Sequence, residues 1–453
     1  MKASPPSSAS PTSRYRGRIQ VNDSPFRASP VCLHKHRPAI NGGLLISREA
    51  LDLLRRCDTF KHIKAVHSKI LRSGLSNDQL LIRKLLLLSF SFGKSDYANF
   101  LFDQLPQPDA YTWNLMIRES TLHGRPIQAI LLYNRMILLC CPPDKFTFPF
   151  AVKACLSCSA LDKGKEIHGH AIKSGLYNDT FIRNTLMDLY FKFGDIKSGC
   201  TLFETTRVRT VVSWTTFVAG LISCGELDAA QQVFDNMPER NVVSWTAIIN
   251  GCVRNHRPQE AFELFSRMQM ENVVPNEYTI VSLLKACSQL RSLSLGSWIH
   301  DCALKSGFKL GPFLGTALID MYSKCGSLQN AKRVFELIES RNLVCWNTMI
   351  TSLGVNGCAE EALALFSRME SQKIRPDAIT FVSVLSACVS RNDVEEGQRL
   401  FMHMMDCYNI KPTEEHENCL AELFNRANLV DDGMPMNFAY ASQTSDYVPS
   451  GTD

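Results

Sequence analysis

Cys155-Leu-Ser-Cys158, with His168 and His170 downstream, is the stretch whose residue types and spacing come nearest to a metal site. A structural zinc site needs four such ligands arranged as a tetrahedron. The same pattern recurs without the second cysteine: Cys287 precedes His300 by 13 residues, the interval that separates Cys155 from His168, and Cys388 again follows an alanine. A small apolar thiol that returns at one repeat position implies packing, because buried free cysteine behaves as a small hydrophobe. Seventeen cysteines scattered in this way imply a reducing compartment. Four tryptophans are the second candidates. Trp113, Trp214, Trp245 and Trp346 are separated by 101, 31 and 101 residues. An exposed indole can stack on a flat ring, whereas a buried one fills the space between helices. The packing reading is preferred, since Phe148 and Phe381 occupy the same place in other stretches. No compact group of carboxylates, histidines and cysteines stands outside the repeated positions, so neither a catalytic centre nor a cofactor is expected.

These intervals point to the elements that carry the residues. The stretch Val242 to Asn276 is 35 residues long and recurs with variation. Self-similarity at periods of about 20–50 residues marks a stacked-repeat architecture. Boundaries fall at 46–78, 79–109, 110–144, 145–179, 180–210, 211–241, 242–276, 277–311, 312–342, 343–377 and 378–413, followed by a partial unit, 414–432. Counting from the first residue of a unit, Gly falls at position 15 in Gly93, Gly124, Gly194, Gly225, Gly326 and Gly357. Ala falls at position 20 in Ala98, Ala129, Ala230, Ala261, Ala331 and Ala362. An aromatic falls at position 24 in Phe102, Tyr133, Phe203, Phe234, Phe265, Phe335 and Phe366. Each unit therefore reads as two short helices broken at the glycine, which supplies the backbone freedom a helix end needs. Such a hairpin is too small to fold alone and buries its apolar face by stacking on its neighbours. The fold class expected is an all-α solenoid of helix-turn-helix repeats.

Charge is unevenly distributed. Residues 1–45 carry seven Lys/Arg against Asp23 alone and are rich in Ser and Pro. That is the composition of an organelle transit peptide, the bland alternative being a disordered basic tail. Residues 414–453 carry eight acids against Arg426, and residues 433–453 read as a polar disordered tail. No run of 18 apolar residues is present, so no membrane partner is expected.

The 35–35–31 spacing and the motifs inside it resemble plant pentatricopeptide repeat proteins of the PLS subclass. Val-Val-Ser-Trp-Thr-Ala-Ile-Ile at 242 and Leu-Val-Cys-Trp-Asn-Thr-Met-Ile at 343 look like P-type units, as does 110–144. The L-type units look like 46–78, 145–179, 277–311 and 378–413, and the S-type units like 79–109, 180–210, 211–241 and 312–342. The resemblance covers about 46–432. It implies a right-handed superhelical solenoid that binds single-stranded RNA, one base per repeat, read by two or three side chains. It also implies the chloroplast as the destination, with the mitochondrion as the alternative.

In this family the readers are the fifth and last residues of a unit, and an apolar residue at position 2 wedges between successive bases. Asn114 with Asp144, and Asn347 with Asp377, resemble uridine-preferring pairs. Thr215 with Asn241, Thr246 with Asn276, and Thr316 with Asn342 resemble adenine-preferring pairs. Asn184 with Thr210 is non-standard and leans towards pyrimidines. Pro149, Val281 and Val382 leave the L-type units without a hydrogen-bonding group at position 5. The wedge residues are Tyr111, Phe181, Val212, Val243, Phe313 and Val344. The implied target is 5′-U-N-Y-A-A-N-A-U-3′.

Many proteins of this subclass end in a deaminase-like domain, which needs H-x-E, P-C-x-x-C and a zinc-activated water. Neither motif occurs here. If the chain serves C-to-U RNA editing, the deaminase is expected in trans; transcript stabilisation or processing is the other role within RNA metabolism. A protein-binding helical scaffold is the alternative to RNA binding, although its uniform 34-residue units fit less well.

Overall fold

The computed structural model describes residues 40–427. The residues before and after, which hold most of the expected transit peptide and all of the polar tail, lie outside the described residues. Among the described residues the chain is all-helical, with 23 helices and no strand.

The chain divides into two units, 1–92 and 93–453. The first contains α1 (Ile40–Arg55), α2 (Phe60–Arg72) and α3 (Gln79–Ser91), each packed on the other two. Helix α1 starts six residues inside the segment read as a leader. Ile63, Ile70, Leu81 and Leu85 are buried in this unit.

The second unit opens with α4 (Ser95–Asp103) and continues as helical hairpins. The hairpins are α5 (Ala110–Leu122) with α6 (Pro126–Leu138), α7 (Thr147–Ser157) with α8 (Leu161–Lys173), and α9 (Thr180–Lys192) with α10 (Ile196–Glu204). Next come α11 (Val211–Ser223) with α12 (Leu227–Asp235), α13 (Val242–Arg254) with α14 (Pro258–Met270), and α15 (Glu277–Leu290) with α16 (Leu293–Lys305). The series closes with α17 (Pro312–Lys324) and α18 (Leu328–Leu337), α19 (Leu343–Val355) and α20 (Ala359–Ser371), α21 (Ala378–Arg391) and α22 (Val394–Asp406), and the single helix α23 (Glu414–Arg426). From α5 to α23 every odd-numbered helix packs on the odd-numbered helix of the next hairpin, so these helices form one continuous layer. The even-numbered helices flank that layer.

Local sequence explains each break. From unit 79–109 to unit 378–413 position 15 is left-handed: Gly93, Gly124, Gly194, Gly225, Gly326 and Gly357 have φ between +65° and +85°. Where glycine is missing, Ser159, His256, Arg291 and Asn392 are forced to φ of +55°, +57°, +50° and +56°. Position 20 is small because the even-numbered helix lies close to its neighbours. Ala129, Ala230, Ala261, Ala331 and Ala362 are fully buried. Gly296 goes further: a Cβ there would lie 2.2 Å from Met321 Sδ of the following hairpin.

The tryptophans lock one hairpin to the next. Trp113, Trp245 and Trp346 are buried, each edge-on to the position-24 aromatic of the preceding unit. The centroid distances are 4.6 Å to Phe102, 4.7 Å to Phe234 and 5.1 Å to Phe335. Trp214 makes the same contact to Phe203 at 4.9 Å while staying partly exposed. Arg135, Arg267 and Arg368 cover Trp113, Trp245 and Trp346 at 5.7–5.8 Å. The buried indoles Trp113, Trp245 and Trp346 are thus pegs between hairpins and present no free stacking face.

Candidate nucleic-acid interface

A helix leaves its first amides without intrahelical acceptors, and Asp, Asn, Ser and Thr supply one. In this chain that duty falls on the last residue of most units, Gly311 of unit 277–311 being an exception. Asp109, Asp179, Thr210, Asn241, Asn276, Asn342 and Asp377 cap α5, α9, α11, α13, α15, α19 and α21. Asp144 does the same for α7, accepting from the Phe146 and Thr147 amides at 2.8 and 3.0 Å.

Capping fixes which edge of the side chain is left over. Asn241 Oδ1 accepts from the amides of Val243 and Ser244, Asn276 Oδ1 from Thr279, and Asn342 Oδ1 from Cys345, all at 2.9–3.1 Å. Only an amide oxygen can accept, so the Nδ2 groups of all three asparagines point away from the helix as donors. Asp144 and Asp377 spend Oδ1 on their helix and keep Oδ2 as an acceptor. Burial alone would raise the Asp377 pKa. The Thr380 amide, the Thr380 hydroxyl and the Asn347 amide outweigh it, and the carboxyl is held below its ordinary value of 3.8.

The fifth residues meet these caps from the preceding helix. Asn114 Nδ2 donates to Asp144 Oδ1 at 2.9 Å, and Asn114 Oδ1 accepts from the Thr147 hydroxyl at 2.6 Å. Asn347, Asp377 and Thr380 repeat this triad at 2.9 and 2.7 Å. Thr246 Oγ1 lies 3.4 Å from Asn276 Oδ1 and 2.7 Å from Thr279 Oγ1. Thr215, Thr246 and Thr316 give their hydroxyl protons to the carbonyls of Val211, Val242 and Pro312 at 2.6–2.7 Å. Their oxygens therefore remain as acceptors.

Three of the six expected pairs are in hydrogen-bond reach. Thr215 and Asn241, Thr316 and Asn342, and Asn184 and Thr210 make no hydrogen bond to each other. Thr316 instead lies 3.3 Å from Cys345 Sγ. Asn184 is buried, with its Oδ1 unpartnered, while the Thr210 hydroxyl turns to Ser213. Its neighbour Arg183 is also buried, held by Thr205, Thr206 and the Leu202 carbonyl.

All six wedge residues are exposed. Tyr111, Phe181, Val212, Val243, Phe313 and Val344 keep 47–60% of their surface. Exposed apolar side chains scattered singly are normal, but a row of them at one register position marks an interaction surface. The same position in the L-type units is also exposed and apolar: Phe146, Tyr278 and Ile379, at 42%, 64% and 62%. These three were missed because their units lack a polar fifth residue; their offset from the unit start was the signal that finds them.

Positions 2, 5, 9 and 13 are three and four residues apart and share one face of a helix. On α13, α15 and α17 that face runs on into a cleft of about 1040 Å³. Asn250, Arg254, Lys285, Gln289, Arg291 and Lys324 line it. Lys324 is paired with Asp320 at 2.9 Å. On α13 an apolar wedge and a polar reader are followed by Asn250 and Arg254, and on α17 by Asp320 and Lys324; on α15 the wedge Tyr278 is followed by the apolar Val281 and then by Lys285 and Gln289.

The cysteine–histidine stretch is arranged for packing. Burial pushes the Cys155 thiol up to about 12. His168 bonds the Tyr190 hydroxyl at 2.8 Å and His170 the Tyr133 hydroxyl at 2.9 Å. His300 and Tyr322 repeat the first contact at 2.9 Å. Among the described residues no three His, Cys, Asp or Glu side chains gather into a metal-binding group, and no helix is long and apolar enough to cross a membrane.

The PPR repeat family model matches residues 240–289 and 341–390, and the PPR repeat model matches 111–141, 212–242, 316–343 and 379–408. A chloroplastic pentatricopeptide repeat-containing protein of Arabidopsis thaliana is 55% identical over 383 residues, covering 84% of each chain. A second Arabidopsis thaliana pentatricopeptide repeat-containing protein is 40% identical over 387 residues, covering 85% of this chain and 62% of its own length. The crystal structure of the maize pentatricopeptide repeat protein PPR10 superposes with a TM-score of 0.56 at 16% identity, over 85% of this chain and 61% of that one. This chain therefore spans less than two thirds of the last two proteins.

Proposed function

The chain belongs to the pentatricopeptide repeat family, and from that premise we propose that it is a sequence-selective single-stranded RNA-binding protein of chloroplast RNA metabolism, without catalysis of its own. The observation that carries the reading is the row of exposed apolar position-2 side chains beside the helix-capping last residues, which on α13, α15 and α17 runs on into the cleft lined by Asn250, Arg254, Lys285, Gln289 and Lys324. The assignment to the chloroplast is supported by the chloroplastic relative at 55% identity.

In this reading each base lies between two consecutive position-2 side chains and is read one base per repeat. Opposite Thr246 and Asn276, the threonine oxygen accepts from the adenine N6 amino group and the Asn276 amide donates to N1. The pairs Thr215 with Asn241 and Thr316 with Asn342 act alike. Opposite Asn114 with Asp144, and Asn347 with Asp377, the free carboxylate oxygen accepts from uracil N3–H. Asn184 is buried with its Oδ1 enclosed, so unit 180–210 offers a base no donor and acceptor side by side and contributes little to reading the third nucleotide. Arg254, Lys285 and Arg291 supply attraction to phosphate that is independent of sequence. Editing-site recognition with a deaminase in trans, and transcript stabilisation or processing, are both roles that such binding serves.

The test is binding of the full chain to 5′-U-N-Y-A-A-N-A-U-3′ and to the same RNA with A and U exchanged, across a salt titration. Discrimination of about 10-fold, or roughly 1.4 kcal/mol, is expected at every salt concentration. Equal and strongly salt-dependent binding to both refutes base reading. No binding to either favours the helical-repeat scaffold that binds protein.

A further inference from the structure

The slot of unit 277–311 differs from its neighbours. Its walls are Tyr278 and Phe313, the position-2 residues of two consecutive units. Their ring centroids are 5.0 Å apart, with the planes inclined at 57°. A base inserted between two flat walls holds them about 7 Å apart, twice the roughly 3.5 Å contact distance between carbon atoms. Two touching, inclined rings leave no such layer. Both rings are otherwise exposed, at 64% and 47%.

The same unit also lacks a reader. Val281 at position 5 is nearly fully buried, and Gly311, its last residue, caps α17 with no side chain. The flanking slots carry a reader and have only one aromatic wall each. Unit 242–276 lies between Val243 and Tyr278 and carries Thr246 and Asn276; unit 312–342 lies between Phe313 and Val344 and carries Thr316 and Asn342. Slot closure and loss of the reader thus coincide in one unit.

We infer that the Tyr278–Phe313 contact closes this slot, so that the sixth nucleotide of the target crosses the array with its base unstacked and unread. The inference rests on the wedge reading proposed above. The array then works as two reading blocks, units 110–276 and units 312–377, joined by a spacer nucleotide whose sugar and phosphate are held while its base is free. Tyr278 sets the length of that spacer. Valine in its place, as at Val212, Val243 and Val344, removes one ring of the contact and opens the slot.

The experiment uses the full chain and U-N-Y-A-A-N-A-U with an abasic ribose at either the fifth or the sixth position. A second set carries 2-aminopurine at the same two positions. The abasic fifth nucleotide is expected to weaken binding about 5-fold or more, the worth of one stacked base. The abasic sixth is expected to leave affinity within about 2-fold. 2-Aminopurine is quenched at the fifth position and keeps its free-strand fluorescence at the sixth. Tyr278→Val is expected to quench the sixth and to make its loss costly. An abasic sixth nucleotide that costs as much as the fifth, or equal quenching at both in the parent chain, overturns the closed slot while leaving the wedge reading intact. If neither abasic site matters, the wedge reading fails and the proposal falls with it.

Discussion

Asn276 separates the two duties that the last residue of a unit performs. Its Oδ1 caps α15 through the Thr279 amide at 2.9 Å, and its Nδ2 is the edge left for a base. Asn276→Asp keeps the cap, because aspartate caps a helix as well as asparagine does. A carboxylate at a helix N-terminus also gains from the helix dipole, partly offset here by the adjacent Glu277. The change in folding stability is therefore expected to stay within about 0.5 kcal/mol. The base-facing edge changes completely. A donor aimed at adenine N1 becomes an acceptor facing an acceptor, whereas guanine offers N1–H and N2–H to the same carboxylate. Removing one good base contact costs about 1–3 kcal/mol, or roughly 5- to 150-fold in affinity. Asn276→Ala is the control: it deletes cap and reader together and is expected to cost about 1 kcal/mol of stability as well. Urea denaturation measures the first quantity, and fluorescence anisotropy on RNAs carrying A or G at the fifth position measures the second. An Asn276→Asp chain of unchanged stability that still prefers A over G by the parent ratio would refute the argument that capping leaves the amide as the reading edge.

Three other outcomes follow from the same geometry. Trp245→Ala removes a fully buried indole from between Phe234 and Arg267, and is expected to destabilise the array by about 3–5 kcal/mol in urea denaturation, with the flanking units melting apart. His256→Gly relieves a side chain held at φ +57° and is expected to stabilise by about 0.5–1 kcal/mol, whereas Gly357→Ala, with open space around its Cβ but φ +76°, is expected to destabilise by about 1 kcal/mol. Asp377 has a folded-state pKa below its ordinary 3.8, so its contribution is present above that value and is lost as pH falls through the folded pKa. Thermal melts of the parent and Asp377→Asn chains should therefore converge as pH drops below about 4, and a constant offset at all pH values would contradict the assignment.

The amino-acid sequence by itself determined the hairpin and its stacking. Glycine at position 15, alanine at position 20 and the aromatics at positions 4 and 24 are local signals, each tied to a backbone conformation or a close approach that admits few residue types. The left-handed backbone at Ser159, His256, Arg291 and Asn392 shows that the break belongs to the hairpin even where glycine is absent. The caps were legible as residue types, because Asp, Asn and Thr before a helix are what its free amides require. Only the tertiary structure decided how those side chains meet. Asn114 reaches Asp144 and Asn347 reaches Asp377 across 30 residues in 35-residue units, while Thr215 and Asn241, 26 residues apart in a 31-residue unit, make no hydrogen bond to each other. Asn184 is buried although its position in the unit matches Asn114, which is only partly so. The Tyr278–Phe313 contact depends on the spacing between two successive helix starts and on two side-chain rotamers, neither of which has a counterpart in the linear pattern. Repeat identity is a property of single units, and the interface is a property of pairs of units, which is why the first could be read along the chain and the second could not.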